Sequence, residues 1–247
     1  ANQANGVYVN ISQDSWSDLN YNGIPSYYLS SSPNLVASGL NLNSETKILQ
    51  SDGSYITDNA LHGWTSSGIT SVTTSDLDGN GHEDILLQSG ANLITLNNDG
   101  NNNWSTQLIA SGLNSNSNAN LLQSDGTFVV DNDLNGWTLT SGVTGSNSAD
   151  LDGNGYQDVI LRSGDNLIAL KNDGNNNWAS EFIGYTNITD NLTTADLDGY
   201  NIQEELILYS DHNISIREYG YDVMPIAYGL NSNSDASLRQ ADGSFIV

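Results

Sequence analysis

The sequence predicts an all-β chain folded as one closed β-propeller domain over residues 1–247, with seven short blades. Three observations lead there: apolar runs too short for helices, a long internal repeat, and a last repeat that breaks off where the first could complete it.

The apolar runs include Ile85-Leu86-Leu87, Leu93-Ile94-Thr95-Leu96 and Val159-Ile160-Leu161, each bounded by Gly, Asn or Ser clusters. Runs of that length are strands. No window of ten or more residues keeps helical spacing without such a break, so almost no helix is expected. A length of 247 residues fits two ordinary domains or one large all-β domain and does not decide between them; the short apolar runs favour the all-β reading.

The segment Ser75-Asp76-Leu77-Asp78-Gly79-Asn80-Gly81-His82-Glu83-Asp84-Ile85-Leu86-Leu87 returns 74 residues later as Ala149 to Leu161, and Asn97 to Trp104 returns as Lys171 to Trp178. A second unit, Leu122 to Val130 followed by Gly136-Trp137, has a twin in Leu49 to Ile56 followed by Gly63-Trp64. Arg239 to Ile246 starts a third copy whose Gly-Trp half is missing, and Asn5-Gly6-Val7-Tyr8 could supply the partner strand. Together the copies give seven units beginning near Asp18, Ser38, Asp76, Ser111, Asp150, Asp196 and Tyr228. Such units cannot bury their own apolar faces and must stack. An open solenoid would leave two exposed edges, whereas radial closure removes them. Closure therefore has Ser237 to Val247 and Ala1 to Ile11 sharing one blade.

The repeated Asp-x-Asp-Gly-Asn-Gly-x-x-Asp carries the chemistry. Side-chain oxygens at loop positions one, three, five and nine, with a carbonyl near position seven, can converge on one cation, and the glycines permit the tight turn. The first set is Asp76, Asp78, Asn80 and Asp84 with the carbonyl of His82; the second is Asp150, Asp152, Asn154 and Asp158 with the carbonyl of Tyr156. About five protein oxygens plus water suit Ca²⁺, and flexible loops suit it better than Mg²⁺. An EF-hand is excluded because its twelfth position is Leu87 or Leu161 rather than Glu, and a β run follows. The competing reading makes these residues ordinary turn formers. Weaker copies exist: Asp196 and Asp198 remain, with one residue gained before Glu205; the Asp18 loop keeps one carboxylate and has Ser26 at its ninth position; Ser111 to Ala119 has lost every carboxylate.

These Asp loops resemble those of the FG-GAP/VCBS repeats of integrin α-subunit propellers and of bacterial and fungal propeller lectins. The Phe-Gly and Gly-Ala-Pro signatures are absent, so the resemblance is to the plainer VCBS form. It implies a seven-bladed propeller with Ca²⁺ between the first two strands of a blade, serving adhesion or the recognition of glycans or proteins. Fold alone does not choose among these.

Composition narrows the partners. With 29 acidic residues against 5 Lys and Arg, and a net charge of -24, the chain is a poor match for nucleic acid or an anionic membrane surface. No apolar stretch approaches the ~20 residues of a membrane span, so no insertion is expected. Cys is absent, which removes disulfides, thiolate metal sites and a Cys nucleophile. The polar start at Ala1 reads as a mature or trimmed domain, and the expected location is secreted or cell-surface.

The histidines His62, His82 and His212 form no Ser-His-Asp set, and the acidic pairs are already assigned to turns and Ca²⁺, so no enzyme is expected. Trp64 and Trp137 occupy equivalent positions after Gly, as Trp104 and Trp178 do after Asn runs. Trp stacks on sugar faces, so Trp64 and Trp137 are candidate ligand contacts; alternatively each fills space between blades. The expected function is a Ca²⁺-binding recognition or adhesion module for a glycan or an extracellular protein. The alternative is a self-associating structural subunit of a cell-surface assembly.

Overall fold

A computed structural model describes residues 6–9, 34–41, 44–114, 117–138, 141–185, 191–195, 204–208, 214–217, 224–228, 237–240 and 244–246. The first sheet holds β1 (Gly6–Val9), β2 (Asn34–Ser38), β3 (Lys47–Leu49) and β4 (Tyr55–Thr57), and α1 (Asn59–Trp64) follows it. The second has six strands: β5 (Ser71–Ser75), β6 (Asp84–Ser89), β7 (Asn92–Asn98), β8 (Trp104–Ser111), β9 (Asn120–Leu122) and β10 (Phe128–Val130), followed by α2 (Asn132–Thr138). The third holds β11 (Gly145–Ala149), β12 (Asp158–Ser163), β13 (Asn166–Asn172) and β14 (Trp178–Tyr185). The fourth holds β15 (Asn191–Ala195), β16 (Glu204–Leu208), β17 (Ile214–Arg217), β18 (Met224–Tyr228), β19 (Ser237–Arg239) and β20 (Phe245–Ile246). Each sheet is an antiparallel meander of consecutive strands, as the short apolar runs predict.

The middle strands are apolar throughout because both their faces are covered. Side chains alternate across a strand, and in β6 Ile85 and Leu87 join a cluster with Val36, Ile48 and Leu61, while Leu86 joins another with Leu121, Leu134, Val159 and Leu161. Each cluster thus draws on two consecutive sheets, and Trp104 and Trp178, 3% and 4% exposed, sit in these junctions. Burying one Leu or Ile in this way stabilises by about 1.5–3 kcal/mol. The repeat therefore packs between neighbours, as stacking units must.

The sheets divide the chain differently from the expected units. Residues Ser38, Ser111 and Tyr228, expected to open new units, each end a strand that continues one sheet: β2 pairs with β1 and β3, β8 with β7 and β9, and β18 with β17 and β19. In β8, Ala110 faces Leu93 on one side and Leu121 on the other, so the strand is shared across the expected boundary. Among the described residues β1 pairs with β2 and β20 with β19, no sheet closes, and the sharing of one blade by the two ends is not seen. Among the described residues helix is confined to two short elements, α1 and α2, in line with the expectation of almost none. They are too short to show a period, and each is fixed by one Asp. Asp58 caps α1 by accepting from the Leu61 N–H at 2.7 Å, and Asp131 accepts from the Leu134 N–H at 2.7 Å.

Candidate metal centres

The two Asp loops connect β5 to β6 and β11 to β12, the first two strands of the second and third sheets. In each, the ninth loop residue opens the second strand: Asp84 begins β6 and Asp158 begins β12, and both are wholly buried. That strand fixes the residue in register, Asp84 opposite Ser75 and Asp158 opposite Ala149. The loop then folds over the fixed carboxylate. Asp84 Oδ2 accepts from the N–H groups of Leu77 at 3.0 Å and Asp78 at 3.3 Å, and its Oδ1 accepts from the Asn98 N–H at 2.7 Å. Asp158 repeats this with Leu151 at 3.1 Å and Asn172 at 2.8 Å.

The first loop residue closes the turn from the other side. Asp76 accepts from the N–H groups of Asn80 at 3.0 Å and Gly81 at 2.8 Å, and Asp150 accepts from Gly153, Asn154 and Gly155. Gly79 and Gly81 hold φ of 73° and 86°, and Gly153 and Gly155 hold 73° and 90°, a region open to Gly without strain. The fifth residue is anchored by its amide N–H₂, Asn80 to the Asn98 carbonyl at 2.8 Å and Asn154 to the Asn172 carbonyl at 2.9 Å. Its Oδ1 accepts from the N–H of His82 or Tyr156.

These constraints bring together one carboxylate oxygen from each of Asp76, Asp78 and Asp84 within 4.8 Å of one another, and likewise from Asp150, Asp152 and Asp158. A cation bound at 2.3–2.6 Å by each ligand requires ligand atoms no farther apart than roughly twice that distance. The residues present therefore fit Ca²⁺ in donor type and separation. The electrostatics agree. Burial pushes the Asp84 carboxyl up to about 6, with the Asp78 carboxylate adding to the rise against the backbone N–H bonds. Burial pushes Asp158 to about 7, helped by Asp152 and Asp150. Crowded carboxylates resist ionising without a cation, and a divalent ion would reverse that resistance.

Asp196 and Asp198 lie outside the described residues; Glu205 lies in β16, its backbone in register with Thr194. The Asp18 to Ser26 loop also lies outside. His82 and Tyr156 sit in their loops as expected, and their rings have a further use: His82 covers Gly100, and Tyr156 lies against both Gly79 and Gly174, where an added Cβ would overlap the ring.

Trp64 lies on α1 and Trp137 on α2, each partly buried against a core cluster. Their carbonyls accept from the amides of Asn92 at 2.9 Å and Asn166 at 2.8 Å, and Trp137 stands 5.7 Å from Phe182, which contacts Tyr185 at 4.7 Å. Neither lines the polar cavity of about 320 Å³ beside the first loop, whose walls include Thr73, Ser75, Asp76, Ser148, Gln157 and Thr194. Sequence reasoning missed Asn98 and Asn172, each of which holds the middle and the last residues of its Asp loop. Their signal was present, since both stand at the same place in the long repeat.

No family model matches the chain, and no curated protein matches it significantly, so the resemblance to FG-GAP/VCBS repeats rests on the loop motif. Among solved structures the chain is similar to TcdB2-TccC3 without its hypervariable C-terminal region, at 17% identity and a TM-score of 0.41, over 63% of this chain and 7% of that one. The TcdB2-TccC3-Cdc42 structure gives 17% identity and a TM-score of 0.43 over the same shares. An Agrocybe aegerita lectin, described for specific recognition of non-reducing terminal N-acetylglucosamine, gives 13% identity and a TM-score of 0.37, over 72% of this chain and 58% of that one. The chain thus spans a small part of the first and just over half of the last.

Proposed function

We propose that this chain is a secreted, Ca²⁺-binding β-propeller that acts as a recognition or adhesion module for glycans or extracellular proteins, and that it is not an enzyme. The observation carrying the proposal is the pair of equivalent Asp triads, each gathered within 4.8 Å around a buried carboxylate. In this reading Asp76, Asp78, Asn80, Asp84 and the His82 carbonyl hold one ion, and Asp150, Asp152, Asn154, Asp158 and the Tyr156 carbonyl hold the other. Asp196, Asp198 and Glu205 are proposed as a weaker third set. The bound ion neutralises the triad and fixes the loop; no reaction is assigned to it. The sheets are proposed to close into a propeller ring, its blades divided as the sheets divide the chain rather than at Ser38, Ser111 and Tyr228.

Recognition is assigned to the loop end of the sheets, where the polar cavity opens and where Asn and Ser side chains offer sugar hydroxyls many partners. Trp64 and Trp137 are retained as secondary ligand contacts. One observation favours the second reading, a self-associating structural subunit: β4, β10 and β20 are sheet edges, and Tyr55, Ile56, Phe128, Val129, Val130, Phe245 and Ile246 on them are exposed. Exposed apolar edges invite pairing with another chain.

Calorimetric titration with Ca²⁺ tests the first step, and Asp78→Ala with Asp152→Ala should remove most of the heat. Ions bound only by the folded state add about 2.7 kcal/mol at a hundredfold excess over Kd. A glycan array with and without Ca²⁺, beside light scattering, then separates the two roles. Sugar binding that requires Ca²⁺ supports recognition. Ordered polymers without sugar binding, lost in Val129→Lys, would replace it with assembly.

A further inference from the structure

The two Asp loops touch each other. Asn172, 2% exposed, closes β13 directly behind the second loop. Its backbone N–H donates to Asp158 and its carbonyl accepts from the Asn154 amide, so its position is set by two members of the second ligand set. Its side-chain N–H₂ donates to the Gln157 carbonyl of its own sheet's loop at 3.2 Å and reaches across to the neighbouring sheet, donating to the carbonyl of Leu77 at 2.6 Å. Leu77 stands between Asp76 and Asp78 of the first loop, and its own N–H donates to Asp84. One buried side chain therefore ties the third sheet's carboxylate shell to the segment that carries the first two ligands of the second sheet's loop.

A second contact runs in parallel. Tyr156, whose carbonyl is in the second ligand set, lays its ring on Gly79, between Asp78 and Asn80, and on Gly174 behind its own loop. Only a residue without Cβ at 79 allows that approach. At the matching place in the first loop, His82 covers Gly100 of its own sheet.

We infer that Asn172 and Tyr156 are positioning residues that couple the two cation loops, so that filling the second raises the affinity of the first. The inference rests on the Ca²⁺ reading above. A cation drawing Asp158 and Asn154 together fixes the Asn172 backbone, which holds its amide where Leu77 needs it; the same cation holds the Tyr156 carbonyl and with it the ring against Gly79. The ordering of Asp76 to Asn80 is then partly complete before the first loop binds. Coupling of this kind is reciprocal and commonly amounts to fivefold or more in affinity.

The test is calorimetric titration of the full chain with Ca²⁺, after removal of metal by chelation, in four forms: parent, Asp152→Ala, Asn172→Ala, and the two substitutions combined. Circular dichroism melting checks that each form is folded. Asp152→Ala touches no ligand of the first loop, yet it is expected to weaken that loop's affinity about fivefold or more relative to the parent. Asn172→Ala is expected to weaken the coupling, so that adding Asp152→Ala to it lowers the affinity of the remaining site by a smaller factor than in the parent. Tyr156→Phe, which keeps the ring, should retain coupling, whereas Tyr156→Ala, which removes the ring from Gly79, should weaken it, and Tyr156→Ala serves if Asn172→Ala does not fold. Two independent sites of unchanged affinity in the parent, or a first loop indifferent to Asp152→Ala, would overturn the coupling and leave the cation reading standing. Absence of Ca²⁺ binding to the folded parent would overturn both.

Discussion

At the scale of single residues, the chain uses carboxylates in two distinct ways that composition cannot separate. Asp52, Asp99 and Asp125 are fully exposed turn residues held below the usual carboxylate range, Asp52 by the Ser54 side chain and its N–H, Asp99 by the N–H groups of Asn101 and Asn103, and Asp125 by the Thr127 hydroxyl and its N–H. Asp84 and Asp158 are held above that range by burial. A carboxyl that binds its proton more tightly when folded contributes stability that is complete below its unfolded value near 3.8, and that is lost as pH rises through the folded value, here about 6 for Asp84 and about 7 for Asp158. The cation-free protein is therefore expected to melt at higher temperature at pH 5 than at pH 8. Between pH 5 and pH 8 only the span from pH 5 up to each folded value counts, which at about 1.4 kcal/mol per pKa unit gives about 1 kcal/mol for Asp84 and about 2–3 kcal/mol for Asp158. Calcium should act oppositely, raising the melting temperature more at pH 8, where the triads are ionised. Scanning fluorimetry with chelator and with Ca²⁺ at the two pH values measures both slopes, and Asp84→Asn with Asp158→Asn should flatten them. A chelated protein whose stability rises from pH 5 to pH 8 contradicts the account.

At the scale of elements, the same sequence signals were legible or hidden according to how far their partners lay. The strands β6, β7, β12 and β13 were legible because both faces are buried, leaving continuous apolar runs. The Asp loops were legible because the carboxylates they gather lie within nine residues of one another. The helices were not, since each buries a single Leu, Leu61 or Leu134, and contains Gly before Trp. Their stability is borrowed from the next β-layer: Asp58 Oδ2 accepts from the Thr106 hydroxyl at 2.6 Å, and Asp131 Oδ2 from the Ser180 hydroxyl at 2.7 Å, each across roughly fifty residues of chain. Asp58→Ala and Asp131→Ala should each destabilise by about 1–2 kcal/mol, combining a lost cap with an orphaned hydroxyl. Asp58→Asn, which keeps one acceptor for the cap, should cost less. Denaturant melts of the three variants measure this, and unchanged midpoints would show that the helices are ornaments on the sheets. The unit boundaries at Ser38, Ser111 and Tyr228 were misplaced for a related reason: a strand shared between two neighbours has the same composition as one that ends a blade.

At the scale of the whole molecule, the open question is closure. The first strands of the second, third and fourth sheets lie side by side: the Ser146 hydroxyl contacts that of Ser71 at 3.4 Å, and the Thr194 hydroxyl donates to the Ser148 carbonyl at 3.1 Å. Such inner-strand contacts are what a radial array produces, but a short open stack would contain them too. Deleting the first eleven residues does not discriminate, because β1 already pairs with β2 and its loss would destabilise either arrangement. A distance does. Packed sheets are spaced about 10 Å apart, so four sheets in an open row separate the outermost two by about 30 Å, whereas a closed ring brings them back to about one spacing. The chain contains no Cys, so Tyr8→Cys in β1 and Phe245→Cys in β20 accept exactly two spin labels without further engineering. Pulsed electron resonance on that doubly labelled protein, saturated with Ca²⁺, should give a narrow distribution below about 20 Å. A broad distribution centred near 30 Å or beyond would mean that the sheets form an open row, and that β20 presents Phe245 and Ile246 as a free edge rather than the last part of a ring.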